Sequence, residues 1–488
     1  MYFCNIVNDT VLYQIIKPKL TQMKSILTFF ILMAVMSVLT AQDITGQWNG
    51  ILNIQGIQLR IVINIAKTDT GFVSTMDSPD QGAKGIPVSE TTFENSVLKF
   101  SITMAGINYE GKMLNDSLIS GNFRQANFDL PLDFTRTVLE KPEIKRPQNP
   151  EKPYPYYEEE LTFENKKAGI TFAGTLTLPD KDGRYPAVIL ITGSGPQNRD
   201  EELLGHKPFL VLADFLTRNR IAVLRFDDRG TAKSTGDFST ATSADFALDV
   251  ESAVQYLKTR PEIISEKIGL MGHSEGGIIA PMVAANSPEI AFIVLLAGTG
   301  IRGDKLLLLQ QELIGRASGI SEKDLKTSKK INRKIFDKVL KSSDTEKLKT
   351  DLTTYIKQAI KENPEMEIPQ GMSADDLIKA QVNQIATPWM LYFIKFDPKT
   401  ALKKVKCPVL AVNGEKDLQV PPKENLVPIK NALLKSGNKN VTTIEFRGLN
   451  HLFQECNTGS PSEYGTIEQT FAPSALEEIK NWILKITE

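Results

Sequence analysis

Residues 267–280 read K-I-G-L-M-G-H-S-E-G-G-I-I-A, and this stretch decides the fold. An apolar run of strand length, Lys267–Met271, leads into the pentapeptide Gly272–Gly276, and a helical pattern follows it. Glycines flank the serine, and they let the backbone turn sharply from strand to helix without a Cβ clash. Such a turn exposes the serine Oγ, and the start of the following helix directs N–H groups towards it. Ser274 is therefore the predicted nucleophile, since a plain tight turn would not need this strand–turn–helix context.

A serine hydroxyl is a poor nucleophile unless a base takes its proton, and the chain has three histidines that could do so. His206 lies ahead of the serine, and we expect His273 to pack under the turn. His451 follows the predicted strand Val441–Phe446 near the end of the chain. A loop after the last strand of a sheet brings its residues to the carboxyl edge, so position and elimination predict His451 as the base. The alternative is a buried histidine with only a structural role.

The acid of such a triad is expected after the strand that precedes the histidine. The apolar run Val409–Val412 is followed by N-G-E-K-D-L-Q-V-P-P, in which Asp417 is the candidate and Glu415 its rival. A carboxylate here would fix the tautomer of the imidazole and stabilise the imidazolium. The order serine, aspartate, histidine along the chain is one of the recurring orders of this triad.

An oxyanion formed at the serine needs two N–H donors. One is the backbone of Glu275, directly after the nucleophile. The other is predicted in the glycine-rich loop, residues 192–197, which follows the first long apolar strand. Pro196 has no N–H, so Ser194 is the predicted donor. The loop lacks the G-x-x-x-x-G-K-[ST] spacing of a phosphate-binding loop, and that alternative is discounted.

From Glu158 onward, apolar runs of strand length alternate with helical patterns. This alternation predicts an α/β fold with a mostly parallel sheet that helices cover on both faces. The predicted strands lie at Ala187–Thr192, Ala222–Phe226, Ile268–Met271, Phe292–Leu296 and Val409–Val412.

A helical insertion is predicted from about residue 303 to residue 398, between two of these strands, and it reads as a cap over the active site. Its lysine-rich stretch, Lys323–Lys349, is interpreted as solvated helix faces rather than a site for an anionic partner. Four aromatic residues in the cap line either an acyl pocket or, more commonly at their spacing, the core of the cap itself: Trp389, Tyr392, Phe393 and Phe396.

Residues 43–138 are predicted to form a separate, small all-β domain, because short alternating runs recur there with turn residues between them. A small barrel is the expected form. The domain either binds a lipid or carbohydrate or packs on the rest of the protein, and the packing role is favoured. Residues 139–157 are rich in proline and charge, which predicts a stiff linker before a second domain, residues 158–488.

The N-terminus has the layout of a secretory signal peptide. Residues 23–41 contain one lysine, then an apolar run too short for a typical membrane span, then a small residue before polar sequence. Residues 1–42 are therefore predicted to be a signal peptide with an upstream extension, and the mature protein is predicted to be secreted or periplasmic and not inserted in a membrane. An uncleaved anchor is the alternative.

Composition narrows the function further. The formal net charge is −1, which gives no basic footprint for nucleic acid. With three cysteines and three histidines, no C-x-x-C motif and no phosphate-loop spacing, neither a metal nor a cofactor is predicted. Cys407 and Cys456 are interpreted as free thiols, although a bridge between them is chemically allowed.

Five motifs together resemble those of the α/β-hydrolase superfamily. They are G-S-G-P-Q-N-R-D at 193–200, F-D-D-R-G at 226–230, G-H-S-E-G at 272–276, N-G-E-K-D-L-Q-V-P-P at 413–422 and L-N-H-L-F-Q at 449–454. The sequence is most similar to secreted bacterial esterases that carry an N-terminal domain, and serine aminopeptidases and relatives of prolyl oligopeptidase share the same motifs.

This resemblance covers about residue 158 to the end, and it implies metal-independent hydrolysis through an acyl-enzyme. Thr192 stands where many relatives have histidine, which leaves the details of the glycine-rich loop open. The expected reaction is hydrolysis of a small carboxylic ester. Two alternatives remain: a peptidase that uses the same triad on small peptides, with Glu275 or a cap glutamate binding the substrate amine, and a binding protein without catalysis.

Overall fold

The computed structural model describes residues 42–54, 57–81, 83–125, 128–138, 145–364 and 373–488. The predicted signal peptide at 23–41 and the start of the predicted linker lie outside these ranges. Two β-sheets organise the described chain, one in the N-terminal part and one in the remainder.

The first sheet has ten antiparallel strands in the order β4-β3-β2-β1-β10-β8-β7-β6-β5, with β9 paired to β8. These strands are β1 (Gly46–Ile54), β2 (Ile57–Thr68), β3 (Gly71–Ser78), β4 (Ala83–Pro87), β5 (Glu90–Glu94), β6 (Val97–Ile102), β7 (Ile107–Asn115), β8 (Leu118–Gln125), β9 (Phe128–Pro131) and β10 (Phe134–Thr135).

This sheet curls on itself into a half-barrel. The Thr91 hydroxyl of β5 donates to the Ser74 hydroxyl of β3 across 2.9 Å, which brings distant strands of the order together. The concave side is filled by apolar and aromatic side chains, with Trp48 and Phe134 fully buried. The Trp48 indole N–H is satisfied by the Ile44 carbonyl at 2.8 Å. The predicted small all-β, barrel-like fold of this region is confirmed.

The second sheet has eight strands in the order β11-β12-β14-β13-β15-β16-β17-β18. The pairs β11–β12 and β12–β14 are antiparallel, and all later pairs are parallel. The strands are β11 (Tyr157–Asn165), β12 (Ile170–Leu178), β13 (Tyr185–Ile191), β14 (Ala222–Phe226), β15 (Ile263–His273), β16 (Phe292–Leu296), β17 (Val409–Gly414) and β18 (Val441–Phe446).

Helices cover both faces of this sheet, which confirms the predicted α/β-hydrolase fold. Along β13 alternate residues point to opposite faces: Ile189 joins one apolar cluster, and Val188 joins the other. The helices outside the predicted cap are α1 (Pro208–Arg218), α2 (Ser243–Leu257), α3 (Gly276–Ala284), α9 (Lys399–Leu402), α10 (Pro422–Lys435) and α11 (Pro473–Thr487). Helices α2, α3 and α10 pack on the first face, and α1 and α11 pack on the second.

Between β16 and β17 the chain forms further helices with an apolar cluster of their own. They are α4 (Gly303–Ala317), α5 (Glu322–Lys341), α6 (Thr345–Glu362), α7 (Ala374–Ile385) and α8 (Pro388–Lys395). Side chains that accept from backbone N–H groups begin four of them: Ser321, Asp344, Ser373 and Thr387. In the described part of the chain, no helix is both long and apolar enough to span a membrane.

Candidate active site

The parallel strands end in register at one edge of the second sheet. His273 pairs with Leu296 of β16, which in turn pairs with Val412 of β17. On the outer side, Gly414 of β17 pairs with Phe446 of β18. Loops that follow these strands therefore emerge side by side, and they carry the residues that the sequence predicts as nucleophile, acid and base.

Ser274 occupies the turn between β15 and α3 with a left-handed backbone, φ 52°. This conformation is strained for a residue with a Cβ, and such strain is common where a side chain must be aimed. The turn is also tightly packed: a Cβ on Gly272 would lie 2.0 Å from the Gly276 carbonyl oxygen. The Ser274 N–H donates to the Leu296 carbonyl at 2.8 Å. A Cβ on Gly276 would likewise lie 2.3 Å from the Ile191 carbonyl oxygen, so both flanking glycines are required by contact.

His451 and Asp417 form a buried pair. The Asp417 Oδ2 atom lies 2.8 Å from His451 Nδ1. Asp417 Oδ1 accepts the backbone N–H groups of Gln419 and Val420, each at 2.8 Å, so the carboxylate is held from its own loop. A proton on Nδ1 leaves the lone pair of His451 on Nε2, which is the atom a general base needs.

Glu415, the rival acid, is directed elsewhere. Its Oε2 atom accepts the Gly448 N–H at 2.9 Å on the outer part of the turn. Of the two carboxylates that follow β17, the structure therefore brings Asp417 to His451.

The histidine rings connect the base to the nucleophile turn. The ring of His273 lies 4.8 Å from the ring of His451, centroid to centroid. The glycine-rich loop covers the same place, because a Cβ on Gly193 would lie 3.4 Å from Ser274 Cβ. Ser274 itself is only partly buried. Serine, histidine, aspartate and the glycine-rich loop therefore meet at one edge of the sheet.

The predicted oxyanion donors flank the serine. Ser194 is exposed at the tip of the glycine-rich loop, and Glu275 is the residue directly before α3. Within the described ranges, neither backbone N–H donates to a protein acceptor. The Gly193 N–H, in contrast, donates to Glu201 Oε1 at 2.7 Å. Both predicted N–H groups therefore remain available to a bound oxygen atom.

The Glu275 side chain is buried, with 3 % of its surface exposed. Its Oε1 atom accepts the Ser243 hydroxyl at 2.6 Å and the Trp389 indole N–H at 2.8 Å, and the carboxyl also bonds the side chain of Ser194. Burial raises the pKa of Glu275, and the hydrogen bonds from Ser243, Trp389 and Ser194 oppose that rise. Because Trp389 belongs to α8, this contact ties the predicted cap to the residue beside the nucleophile.

A second buried carboxyl, Asp228, holds the base of the glycine-rich loop. The Thr192 hydroxyl donates to it at 2.7 Å, and the Gln197 N–H donates at 2.9 Å. Burial, together with the charges of Glu275 and Glu201, raises the pKa of Asp228 to about 8. The loop is thus fixed at both ends.

Further ion pairs, two of them made by residues of the F-D-D-R-G motif, hold the surrounding loops. The Arg199 guanidinium donates to Asp227 Oδ2 at 2.8 Å, and the Arg229 guanidinium donates to Asp249 Oδ2 at 2.7 Å. His206 takes no part in the site: its ring lies between Thr470 Oγ1 and the Tyr464 carbonyl, and burial lowers its pKa to about 4.

An apolar groove of about 420 Å³ lies along the cap helix α8. Tyr392 and Phe396, stacked with ring centroids 5.5 Å apart, form part of its wall. Trp389 and Phe393 stack in the same way, at 5.2 Å, and Phe393 is buried in a small apolar cluster with Leu306 of the cap and Ile278 of α3. Tyr392 and Phe396 therefore line a groove, whereas Phe393 packs between the cap and α3.

Sequence reasoning missed two features of this site: Glu201 and the indole N–H of Trp389. Each acts on a partner far along the chain, for example 114 residues away for Trp389 and Glu275. No motif spacing signals such contacts. Asp228, in contrast, is one of the two aspartates of the F-D-D-R-G motif.

Comparison with known proteins gives several related chains. Esterase EstD of Thermotoga maritima is 26% identical over 343 residues, which cover 68% of this chain and 70% of EstD. An uncharacterized 31.7 kDa protein of Escherichia coli is 24% identical over 269 residues, 54% of this chain and 84% of that protein.

Comparison with solved structures gives matches of low sequence identity. Est1E of Butyrivibrio proteoclasticus, solved with ferulic acid bound, is 16% identical with a TM-score of 0.39, over 67% of this chain and 99% of that one. The Pyrococcus furiosus esterase Pf2001 is 15% identical with a TM-score of 0.40, over 71% of this chain and 98% of that one.

A family model described as serine aminopeptidase, S33, matches residues 208–455. The matched range is just over half of the chain, and it contains Ser274, Asp417 and His451 together with the predicted cap. The chain therefore belongs to the S33 serine aminopeptidase family of α/β hydrolases.

Proposed function

We propose that this hydrolase cleaves carboxylic esters through an acyl-enzyme, with Ser274 as nucleophile, His451 as base and Asp417 as the orienting acid. The observation that carries the proposal is the buried hydrogen bond of 2.8 Å between Asp417 and His451, at the sheet edge where the Ser274 turn emerges. In the neutral imidazole that bond favours the tautomer with the proton on Nδ1, whose Nε2 lone pair can accept the serine proton.

The reaction then has two halves. Ser274 Oγ attacks the ester carbonyl carbon while His451 takes the hydroxyl proton, and collapse of the tetrahedral intermediate expels the alcohol, which receives that proton. A water molecule next attacks the acyl-serine; His451 takes its proton and returns it to Ser274 Oγ as the carboxylic acid leaves. Asp417 stabilises the imidazolium in both halves.

Backbone N–H groups of Ser194 and Glu275 are proposed to hold the oxyanion in each tetrahedral intermediate. Their availability supports this role, and the start of α3 adds a favourable dipole at Glu275. Loss of one such donor typically lowers kcat about 100- to 1,000-fold. The anchoring of the loop by Asp228 keeps the donor at Ser194 in place without a rearrangement during the reaction.

The environment of Glu275 favours esters over aminoacyl peptides. An aminopeptidase needs a free carboxylate to bind the substrate ammonium, and Glu275 was the candidate nearest the nucleophile. Its carboxyl is buried and already bonded to Ser243, Trp389 and Ser194. The similarity to an esterase at 26% identity agrees with this preference. The family description keeps peptidase activity as the second candidate.

We assign the apolar groove along α8 to the less polar part of the ester. Its wall contains Leu391, Tyr392 and Phe396, and one cation, Lys395, stands at its edge. Apolar walls of this kind bind acyl or aryl groups mainly by removing them from water.

The test is turnover of short p-nitrophenyl esters by the Ser274→Ala variant. Activity is expected to fall to background, because no other hydroxyl stands at this turn. Ser252→Ala, which removes an exposed hydroxyl on α2, is the matched control and should retain full turnover. A fluorophosphonate probe should label wild-type protein and Ser252→Ala but not Ser274→Ala. Full turnover by Ser274→Ala would reject Ser274 as the nucleophile. Faster cleavage of aminoacyl amides than of esters by the wild-type protein would favour the peptidase function.

A further inference from the structure

Two ionisable side chains beside the candidate site have no part in the triad. His273 immediately precedes the nucleophile, and Glu201 follows the glycine-rich loop. Both are buried, with 7 % and 5 % of their surfaces exposed, and His273 Nδ1 lies 2.9 Å from Glu201 Oε1. A buried charge pair is stable only when its remaining polar atoms are also satisfied.

These remaining atoms connect two separate loops. Glu201 Oε1 also accepts the Gly193 N–H at 2.7 Å, so the carboxylate holds the glycine-rich loop one residue before Ser194. His273 Nε2 lies 3.1 Å from the carbonyl oxygen of His451, so the imidazole holds the main chain of the proposed base. One chain of hydrogen bonds thus joins the proposed oxyanion donor loop to the base.

The partners of His273 define its protonation. A carboxylate and a backbone carbonyl are both acceptors, so the two contacts favour a ring that carries a proton on each nitrogen, the imidazolium. Burial by itself lowers the pKa of His273, but Glu201, the His451 carbonyl and the negative charge of Asp417 outweigh it, and the pKa lies above its usual value of 6.5. The ring of His451 also faces it, with the ring centroids 4.8 Å apart.

The backbone at Glu201 is arranged for this contact. Its φ of 51° is left-handed, an uncommon conformation for a residue with a long side chain, and its N–H is held by the Asn198 carbonyl at 2.9 Å. Strain of this kind persists where surrounding contacts fix the backbone, and it is frequent at functional sites.

We propose that Glu201 and His273 are positioning residues, a buried carboxylate–imidazolium pair that sets the spacing between the glycine-rich loop and His451. The inference rests on the proposed function, because the spacing matters only if Ser194 and His451 act on one substrate. A displacement of about 1 Å between such groups can lower the rate about 100-fold.

The first measurement determines the protonation of His273 in the Glu201–His273 pair and does not depend on enzyme activity. With ¹⁵N-labelled histidine, the three histidines of the chain give a spectrum simple enough to assign, and His273→Asn identifies the signals of His273 by their loss. At pH 8, where a free histidine is neutral, His273 is expected to show two protonated nitrogens, and Glu201→Gln should abolish that pattern. One protonated nitrogen in the wild-type spectrum would overturn the proposal, whatever the substrate proves to be.

The second measurement is kinetic. Glu201→Gln is expected to lower kcat for p-nitrophenyl esters about 10- to 100-fold with KM within twofold, and Glu201→Asp, which keeps the charge, should recover part of that loss. Glu159→Gln is the matched control. Glu159 lies on the edge strand β11 and forms an ion pair with Arg260, so this variant also loses one ion pair, and its kcat should equal that of the wild type. An unchanged kcat in Glu201→Gln would contradict the positioning role. A wild-type protein that is inactive on esters would contradict the proposed function, and the ¹⁵N spectrum would then be the test of the Glu201–His273 pair.

Discussion

At the residue scale, the buried carboxyl of Asp228 makes stability depend on pH. Its pKa is raised from 3.8 to about 8, chiefly by burial, so between these values the folded chain holds a proton that the unfolded chain has lost. Stability therefore falls as pH rises through this window, by up to about 1.4 kcal/mol per pH unit from this group. Asp228→Asn should remove the effect, since an amide can accept from the Gln197 N–H and donate to the Thr192 hydroxyl.

Urea unfolding at several pH values measures this prediction. The free energy of unfolding of Asp228→Asn, relative to wild type, should grow steadily from pH 5 to pH 8. Asp237→Asn provides the control: that carboxyl is exposed, hydrogen bonds from Ser239 lower its pKa, and its difference from wild type should stay constant over the same range. A constant difference for Asp228→Asn as well would mean that Asp228 is ionised in the folded protein.

Single residues were predictable from sequence where a motif fixes both identity and place. Ser274, Asp417 and His451 each follow a strand of one sheet, and the structure brings the last two into contact and places the serine turn beside them. His273 is buried under the turn as expected, but its bond to Glu201, 72 residues away, was beyond sequence reasoning because it depends on how a loop folds back over the sheet.

At the scale of elements, the contact between α8 and the nucleophile turn carries a further prediction. Trp389→Phe keeps the stacking on Phe393 but removes the N–H that bonds Glu275. A hydrogen bond of this kind contributes about 1–3 kcal/mol, so the cap should be held less firmly and KM for esters with a long acyl chain should rise about three- to tenfold. Steady-state kinetics on a series of acyl chain lengths measures this.

Trp482→Phe is the matched control for the cap variant. Trp482 packs edge-on against Phe292, on the face of the second sheet opposite α3. The Trp482→Phe substitution should change the free energy of unfolding but not KM. Equal KM values for Trp389→Phe and wild type would indicate that the cap is positioned by its apolar core alone.

Elements were predictable where burial makes the pattern simple. The parallel strands β14 and β16 coincide with the predicted apolar runs, because a strand covered on both faces is apolar at nearly every position. The antiparallel strands β11 and β12 were not predicted. Along β11 burial alternates only from Glu160 to Asn165, and polar residues occupy most of this edge strand, so the sequence shows no apolar run of strand length.

At the scale of the whole molecule, the order of regions along the chain follows from composition, but the contacts of the predicted linker do not. A proline-rich, charged segment indicates an extended chain between two folded parts. The structure instead bonds residues 146 and 148 to the stretch between β18 and α11, where the Gln148 side chain donates to the Phe471 carbonyl at 2.6 Å and accepts the Thr470 N–H. A polar side chain that meets backbone carbonyls leaves no periodic signal in the sequence.

Arg146 is expected to be the main link of this contact. Its guanidinium donates to the carbonyl oxygens of Ile467, Leu204 and Gly465 at 2.6–2.9 Å, which joins the linker to two loops of the hydrolase region. A hydrogen bond to a charged group contributes about 1.5–3 kcal/mol net, and because Arg146 is only half-buried, Arg146→Ala should lower the free energy of unfolding by about 2–3 kcal/mol in total. Lys145→Ala, at the exposed neighbouring position, should leave it unchanged in the same urea titration. Equal stability of the two variants would mean that the linker lies on the hydrolase region without stabilising it.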